Sequence, residues 1–224
     1  MKLIGHETGR LIVLFPAEEI RPHSGMYLPY VQAELNQRYG FIKQPDLSRP
    51  IEELDRDGYK FGHGRAVIDG RLIAIIEFAI YNDGIVINCN RTDDAELIWS
   101  DLMEWSKDAL GIREFTREPR KLYRSVLIVE FENQMSSLLK DFADIKYIVE
   151  DALTNTPHRG DVDFVSISFG LDPTKIPGLS PPPFVIERRG GSPYEQNRYF
   201  CQAPLPTQAH INALERLEIA LSSR

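Results

Sequence analysis

The residues best suited to acid–base chemistry lie in the segment Phe61-Gly-His-Gly-Arg65. Its glycines open the backbone to a ligand, while His63 could transfer a proton near neutral pH and Arg65 could hold an anion. With Glu77 as base or metal ligand, these residues form a candidate catalytic site for an enzyme acting on an anionic or phosphate-bearing substrate. The simpler interpretation is a glycine-flanked start of a sheet, with His63 covering backbone.

Glu77 interrupts the apolar run Leu72–Ile80. Successive side chains of a strand point to opposite faces, so alternation predicts Glu77 on the face of Arg71, Ile73 and Ile75. A half-covered carboxylate there would suit catalysis. Alternatively, Glu77 could pair with Arg65 or Arg71, or be an ordinary exposed residue on the outer side of a sheet.

A second set of candidates is basic. The segment Arg113–Arg124 contains Glu114 and Glu118 as its acidic residues, and Arg188–Ser192 has the composition of a hairpin tip. Arginine side chains beside aromatic ones can hold phosphates and bases. The predicted anion-binding residues are Arg117, Arg120, Lys121, Arg188 and Arg189.

Strong signatures of chemistry are missing from the sequence. It has no nucleotide-binding glycine motif, no zinc-protease or α/β-hydrolase motif and no Cys/His cluster. Cys89 and Cys201 are too few for a disulfide framework, and the pairs Asp93-Asp94 and Asp161/Asp163 are typical of a capped helix start and a solvated strand. We therefore predict no metal site and no cofactor.

The composition is that of a globular protein. Of 224 residues, 42% are hydrophobic and 26% charged, which excludes low-complexity disorder. A net charge of −7 argues against a surface devoted to nucleic acid or to an anionic membrane. Two cysteines and the lack of a long apolar run predict a cytoplasmic protein that does not enter a membrane.

Periodicity and turn residues predict the elements of the first half. Two short strands should form an opening hairpin with its turn at Glu7-Thr8-Gly9. A helix should run from Pro29 to Gly40, and a three-stranded meander should follow with turns at Asp69-Gly70 and Asn82-Asp83-Gly84. A helix starting at Thr92 or Asp93 should then end at Gly111.

The second half is predicted to repeat strands and helices. The spacing of Met135, Leu138, Phe142, Ile145, Val149 and Ala152 predicts a core-facing helix over Gln134–Leu153. The Pro-rich loop 172–183 should be extended. The remaining predicted elements are strands at Tyr123–Phe131, Val162–Phe169, Phe184–Arg188 and Arg198–Gln202, and a last helix from Pro206 or Thr207.

A faint internal repeat accompanies this order. The strands that end near Cys89 and Cys201 are each followed by a threonine able to cap a helix, Thr92 and Thr207. Two meander-plus-helix units are therefore a possible plan, although similar order can arise without shared sequence.

These observations predict a single α+β domain over residues 1–224. It should contain about nine short strands in mostly antiparallel sheets, with four main helices on one face. The helix after Cys89 could add one parallel neighbour, the strand at Tyr123.

The predicted function is non-enzymatic: protein–protein interaction or assembly, including self-association, through sheet edges, hairpin tips and the Pro-rich loop 172–183 as an arm. The enzyme built on His63, Arg65 and Glu77 is the first alternative. Anion or nucleic-acid binding through the basic residues is the second.

Overall fold

A computed structural model describes residues 1–23, 25–135, 143–154, 162–176 and 179–222. Eight strands and six α-helices lie within these ranges, which confirms the α+β class. The strands are β1 (Lys2–Leu14), β2 (Tyr59–Ile68), β3 (Arg71–Tyr81), β4 (Gly84–Cys89), β5 (Arg120–Glu130), β6 (Ser166–Phe169), β7 (Phe184–Arg188) and β8 (Arg198–Ala203). The helices are α1 (Ala17–Ile20), α2 (Leu28–Tyr39), α3 (Ile51–Asp57), α4 (Thr92–Leu110), α5 (Ala143–Leu153) and α6 (Thr207–Ser222).

The strands form one antiparallel sheet in the order β2-β3-β4-β1-β5-β8-β7-β6. The two halves of this order mirror each other, because a β-α-β-β-β-α succession with short additions occurs twice along the chain. The repeat suggested by Cys89 and Cys201 is therefore a repeated topology. The sequence suggested that the helix after Cys89 leads to a parallel neighbour of β4. That suggestion is wrong, because β1 lies between β4 and β5.

The first strand corrects the predicted opening hairpin. β1 runs unbroken from Lys2 to Leu14, so the predicted turn at Glu7-Thr8-Gly9 is part of a strand, and the described residues form eight strands where about nine were expected. Gly9 serves a different purpose: a Cβ atom there would lie 2.2 Å from backbone atoms of Arg91 and Thr92. The glycine allows a helix start to approach the strand closely.

Contacts divide the chain into two compact units. Unit 1 comprises Met1–Gly5, Val126–Ala203 and Gln208–Arg224, and unit 2 comprises His6–Ser125 and Pro204–Thr207. A single domain over residues 1–224 stays a prediction.

The core of unit 2 lies between α2, α4 and one face of β1 to β4. Helix α2 matches its prediction: Val31, Leu35 and Tyr39 are buried, and Gly40 ends the helix with a φ of 57°. Helix α4 likewise ends at Gly111, whose φ is 65°. The meander is confirmed as well. Its first turn has positive φ at both Asp69 and Gly70, as a type I′ turn requires.

The core of unit 1 joins α6 to strands β5, β7 and β8. Leu214 and Leu221 of α6 are buried in the same cluster as Leu127 and Ile186. His210, also in α6, is fully buried, and its ring packs edge-on against Phe184 with centroids 5.5 Å apart. This burial lowers the pKa of His210 to about 4.

Helix α5 departs from its prediction. The structure describes it over Ala143–Leu153, with no buried residue, whereas a core-facing helix was expected. Leu138 and Phe142 of the predicted face lie outside the described residues. The side chains of Ile145 and Ile148 are 57% and 64% exposed. Helical periodicity identifies residues that share a face, but it does not identify what covers that face.

The Pro-rich loop is not extended throughout. Residues Pro173–Lys175 form a 3₁₀ turn, in which the Thr174 amide and hydroxyl donate to the Asp172 carboxylate at 3.0 and 2.7 Å. An aspartate before Pro-Thr thus starts a local turn. Residues 177 and 178 lie outside the described ranges.

Helices α4 and α6 start at a reciprocal threonine pair within unit 2. The Thr92 amide donates to Thr207 Oγ1 at 2.9 Å, and the Thr207 amide donates to Thr92 Oγ1 at 2.6 Å. Each predicted capping residue therefore serves the other helix rather than its own. Both side chains are buried, with 0% and 1% exposure, so water cannot readily replace these bonds.

Replacing Thr92 with valine should lower the free energy of unfolding by about 1–3 kcal/mol, because the Thr207 amide would remain buried without its acceptor. Chemical denaturation measures this change, and Thr92→Ser, which keeps the hydroxyl, is the matched control. In a double-mutant cycle with Thr207→Val the two losses should not add. Strict additivity would show that the two threonines act independently.

Stability should fall as the pH drops from about 6.5 to about 4, because the unfolded chain protonates His210 over that range and the folded chain does not. The loss attributable to this residue should be about 3 kcal/mol. It is measured as the difference between the pH–stability curves of the wild type and His210→Gln. The exposed His23, changed to glutamine, is the control, and parallel curves for all three proteins would contradict the prediction.

Candidate interaction surfaces

The alternation of buried side chains along the β2–β3 hairpin changes at His63. His63 is a non-glycine residue inside β2 with a φ of 55°. The alternation of buried side chains on the partner strand changes phase opposite it, since Ile73, Ile75 and Phe78 are all buried. Glu77 therefore does not share the face of Ile73 and Ile75, as simple alternation predicts.

Glu77 belongs to a chain of polar contacts across three strands. Asn88 Nδ2 donates to Glu77 Oε1 at 3.1 Å, and Arg10 Nε donates to Asn88 Oδ1 at 2.7 Å. Glu77, Asn88 and Arg10 are register partners on β3, β4 and β1. Among the described residues, no hydrogen bond or ion pair joins Glu77 to His63 or Arg65. The three candidate catalytic residues thus lie on one hairpin without forming a bonded set.

The open side of the same hairpin exposes apolar side chains. Val67 and Leu72 are cross-strand partners that are 71% and 70% exposed, and Ile76 is exposed as well. Arg65 and Ala74 form the next cross-strand pair on the same face, further from the turn, and Arg65 is also exposed. We call this group the hairpin surface, and it consists of Arg65, Val67, Leu72, Ala74 and Ile76. It combines a small apolar area with one cation.

A second exposed apolar surface lies on α5 in unit 1. Ile145, Ile148, Val149 and Ala152 follow the i, i+3, i+4, i+7 spacing of one helix face, and all four are exposed. We call these residues the α5 stripe. Tyr147 is exposed on a different side of the helix.

Two of the predicted anion-binding residues are engaged within their own unit. Lys121 Nζ donates to Glu96 Oε2 at 2.6 Å. Arg188 is buried, donates to the Tyr194 carbonyl and the Tyr199 hydroxyl, and stacks on the Tyr194 ring at 3.9 Å. A guanidinium held in this way stabilises the surrounding loop and has little capacity for a ligand.

The other three basic candidates, Arg117, Arg120 and Arg189, are exposed. Within the described ranges, none of the three forms an ion pair. Arg117 and Arg120 belong to unit 2 and Arg189 to unit 1, so the structure does not show the set as one patch.

The other candidate residues of the sequence are the two cysteines and the pair Asp161/Asp163. Both cysteines are buried, and burial raises the pKa of Cys89 to about 12 and raises the pKa of Cys201 as well. Asp161 lies outside the described ranges, and Asp163 accepts the Phe164 amide at 2.6 Å. In the part of the chain that the structure describes, no group of three or more His, Cys, Asp or Glu could hold a metal.

None of the described helices combines the length and the apolar character that crossing a membrane requires.

Comparison with known proteins supplies no family. No family model matches the chain, and no curated protein matches it. Among solved structures, Methanococcus jannaschii TBP is similar over 100% of this chain and 98% of its own, with 12% identity and a TM-score of 0.40. At that TM-score the likeness carries no argument about function.

Sequence reasoning missed both apolar surfaces. The run Leu72–Ile80 has apolar residues at odd and even positions, so period 2 alone cannot tell the covered face from the open one. The useful signal was the unbroken run itself, because an antiparallel sheet covered on one side normally shows polar residues on the other. The α5 stripe was recognised as a face but was assigned to the core.

His63→Val should lower the free energy of unfolding by about 1–3 kcal/mol, because a β-branched residue is strained at positive φ. His63→Gly and His63→Asn should change it much less, since both residues accept this backbone conformation. Thermal or chemical denaturation measures the series, with Arg65→Val as a control at an extended position. Equal tolerance of valine and glycine at residue 63 would contradict the assignment.

Proposed function

We propose that this protein is a non-enzymatic assembly protein, in which the α5 stripe of one copy binds the hairpin surface of a second copy. The observation that carries the proposal is the exposure of the α5 stripe, where Ile145, Ile148 and Val149 occupy one helix face and none is buried. Contiguous exposed apolar patches on soluble proteins are typical of contact surfaces.

Charge complementarity supports a second copy as the occupant. Asp144 and Asp151 lie one helical turn on either side of Ile148, so acidic groups line one margin of the α5 stripe. The hairpin surface carries Arg65, for which the described residues supply no ion pair. Opposite charges beside two apolar areas favour this pairing. Two α5 stripes facing each other would instead bring aspartates together.

The proposed contact uses different surfaces on the two copies, so it is heterologous. A dimer would keep one unused α5 stripe and one unused hairpin surface, so assembly would continue head to tail until a ring closes or a filament grows. The proposal retains the protein–protein interaction predicted from the sequence and places part of it on the β2–β3 hairpin. The Pro-rich arm, the catalytic set and the anion-binding set stay predictions.

Ile148→Glu should abolish concentration-dependent self-association, because it places a charge in the centre of the α5 stripe. Sedimentation velocity over a wide concentration series measures the effect. Tyr147→Glu is the matched control: it adds the same residue to the same helix, away from the stripe, and should leave assembly intact. A wild type that stays monomeric throughout, or equal loss in both variants, would contradict the proposal.

A mixing experiment tests the head-to-tail geometry. Val67→Thr with Leu72→Thr removes the apolar part of the hairpin surface while preserving strand propensity. This variant and Ile148→Glu should each be monomeric alone but form a heterodimer when mixed, because one intact α5 stripe meets one intact hairpin surface. Failure to form that heterodimer would overturn the assigned pairing.

A further inference from the structure

Strand β6 stands last in the strand order, so its outer side pairs with no strand among the described residues. On its inner side, the Arg188 amide donates to the Val165 carbonyl at 2.7 Å, so the backbone of Val165 is directed at β7. The backbone groups of successive residues in an antiparallel pair point alternately to the two sides of the strand. The N–H and C=O groups of Ser166 and Ser168 therefore point outward, away from β7.

The strand at the other end of the order, β2, is protected in ways that β6 is not. Its Gly62 exchanges backbone hydrogen bonds with Lys43 at 2.9 and 3.0 Å, and β2 carries the exposed cations Lys60 and Arg65. Covered backbone and charged side chains are common means by which sheets avoid pairing with other chains. β6 has the sequence Ser-Ile-Ser-Phe, with no charged residue and no proline. Its outer edge is therefore suited to accept a further strand.

The two faces of this edge differ in chemistry. Val165 and Phe169 are 54% and 60% exposed on one face, and Ser166 and Ser168 are exposed on the other. Ser166 is the register partner of Glu187, an exposed residue that forms no ion pair with the described residues. Because the serine side chain is short, a long cationic side chain on an added strand can reach across it to the Glu187 carboxylate.

We infer that the outer edge of β6 binds an extended peptide segment of another protein, which adds as an antiparallel strand. Its apolar residues lie beside Val165 and Phe169. A threonine lies opposite Ser168, and a lysine opposite Ser166 extends to Glu187. Backbone hydrogen bonds supply the affinity, and the alternating side chains with the cation supply the specificity. The site lies in unit 1 and uses neither the α5 stripe nor the hairpin surface, so it does not depend on the proposed self-association.

A short capped peptide of alternating valine and polar residues tests the inference, with threonine opposite Ser168 and lysine opposite Ser166. Fluorescence anisotropy of the labelled peptide measures its binding to the whole chain. N-methylation of the threonine and lysine amides should weaken binding roughly tenfold or more, because these amides face β6. N-methylation of the valine amides, which point away, is the matched control and should have little effect. Equal losses from the two methylations, or no saturable binding of the unmodified peptide, would overturn the inference.

Ser168→Pro locates the site on the protein. It removes one outward amide and leaves the bonds to β7 intact, because an edge strand tolerates proline where the N–H would face solvent. The peptide should bind roughly tenfold more weakly to this variant, whereas Ser168→Thr, which keeps the amide, should bind it as the wild type does. Thermal denaturation checks that both variants fold. Unchanged binding to a folded Ser168→Pro protein would place the peptide elsewhere and overturn the inference.

Two further results identify the occupant. Glu187→Lys does not alter the backbone of β6, and it should reverse the charge preference, so that a peptide with glutamate in place of lysine binds better. An unchanged preference would overturn the role of Glu187. Wild-type dimers that Ser168→Pro abolishes would overturn the choice of partner, because the edge of a second copy would then be the occupant.

Discussion

Two helix starts, those of α4 and α6, depend on the same pair of buried threonine hydroxyls. The amides of Thr92 and Thr207 each need an acceptor in a place that water hardly reaches. The reciprocal bonds between Thr92 and Thr207 meet that need. Strand β1 passes the start of α4 so closely that only glycine fits at residue 9. A residue that resembles a turn glycine in the sequence is therefore explained by the close approach of a strand to a helix start.

The second constraint is the coverage of the sheet on one face in each unit. The core side chains of unit 2 come from one face of β1 to β4, and those of unit 1 from β5, β7 and β8. The other face must satisfy its polar groups within the sheet or leave them to solvent. The chain from Glu77 through Asn88 to Arg10 does the former. The hairpin surface instead exposes apolar side chains on that face, which is why it is a candidate for contact with another protein.

Local signals predicted the elements whose ends depend on backbone chemistry. Gly40 and Gly111 end helices, and Asp69-Gly70 forms the hairpin turn. These were predictable because the tolerance of positive φ depends on the residue type itself. Predictions that depended on distant parts of the chain were less successful. The face of Glu77 follows a change of alternation near His63 that the sequence does not show, and the exposure of α5 depends on packing that periodicity does not report. The same holds for the candidate site: the closeness of His63 and Arg65 is local, whereas the burial of Arg188 by Tyr194 and Tyr199 is not.

The repeated topology places α2 and α5 at equivalent steps of the β-α-β-β-β-α succession. In the first half of the chain, helix α2 buries Val31, Leu35 and Tyr39. In the second half, none of the described residues of α5 is buried. One architectural plan thus supports two opposite uses of the same helix. Substitutions on the exposed face of α5 need not disturb the buried face of α2, so the two halves of the repeated topology can change independently of each other.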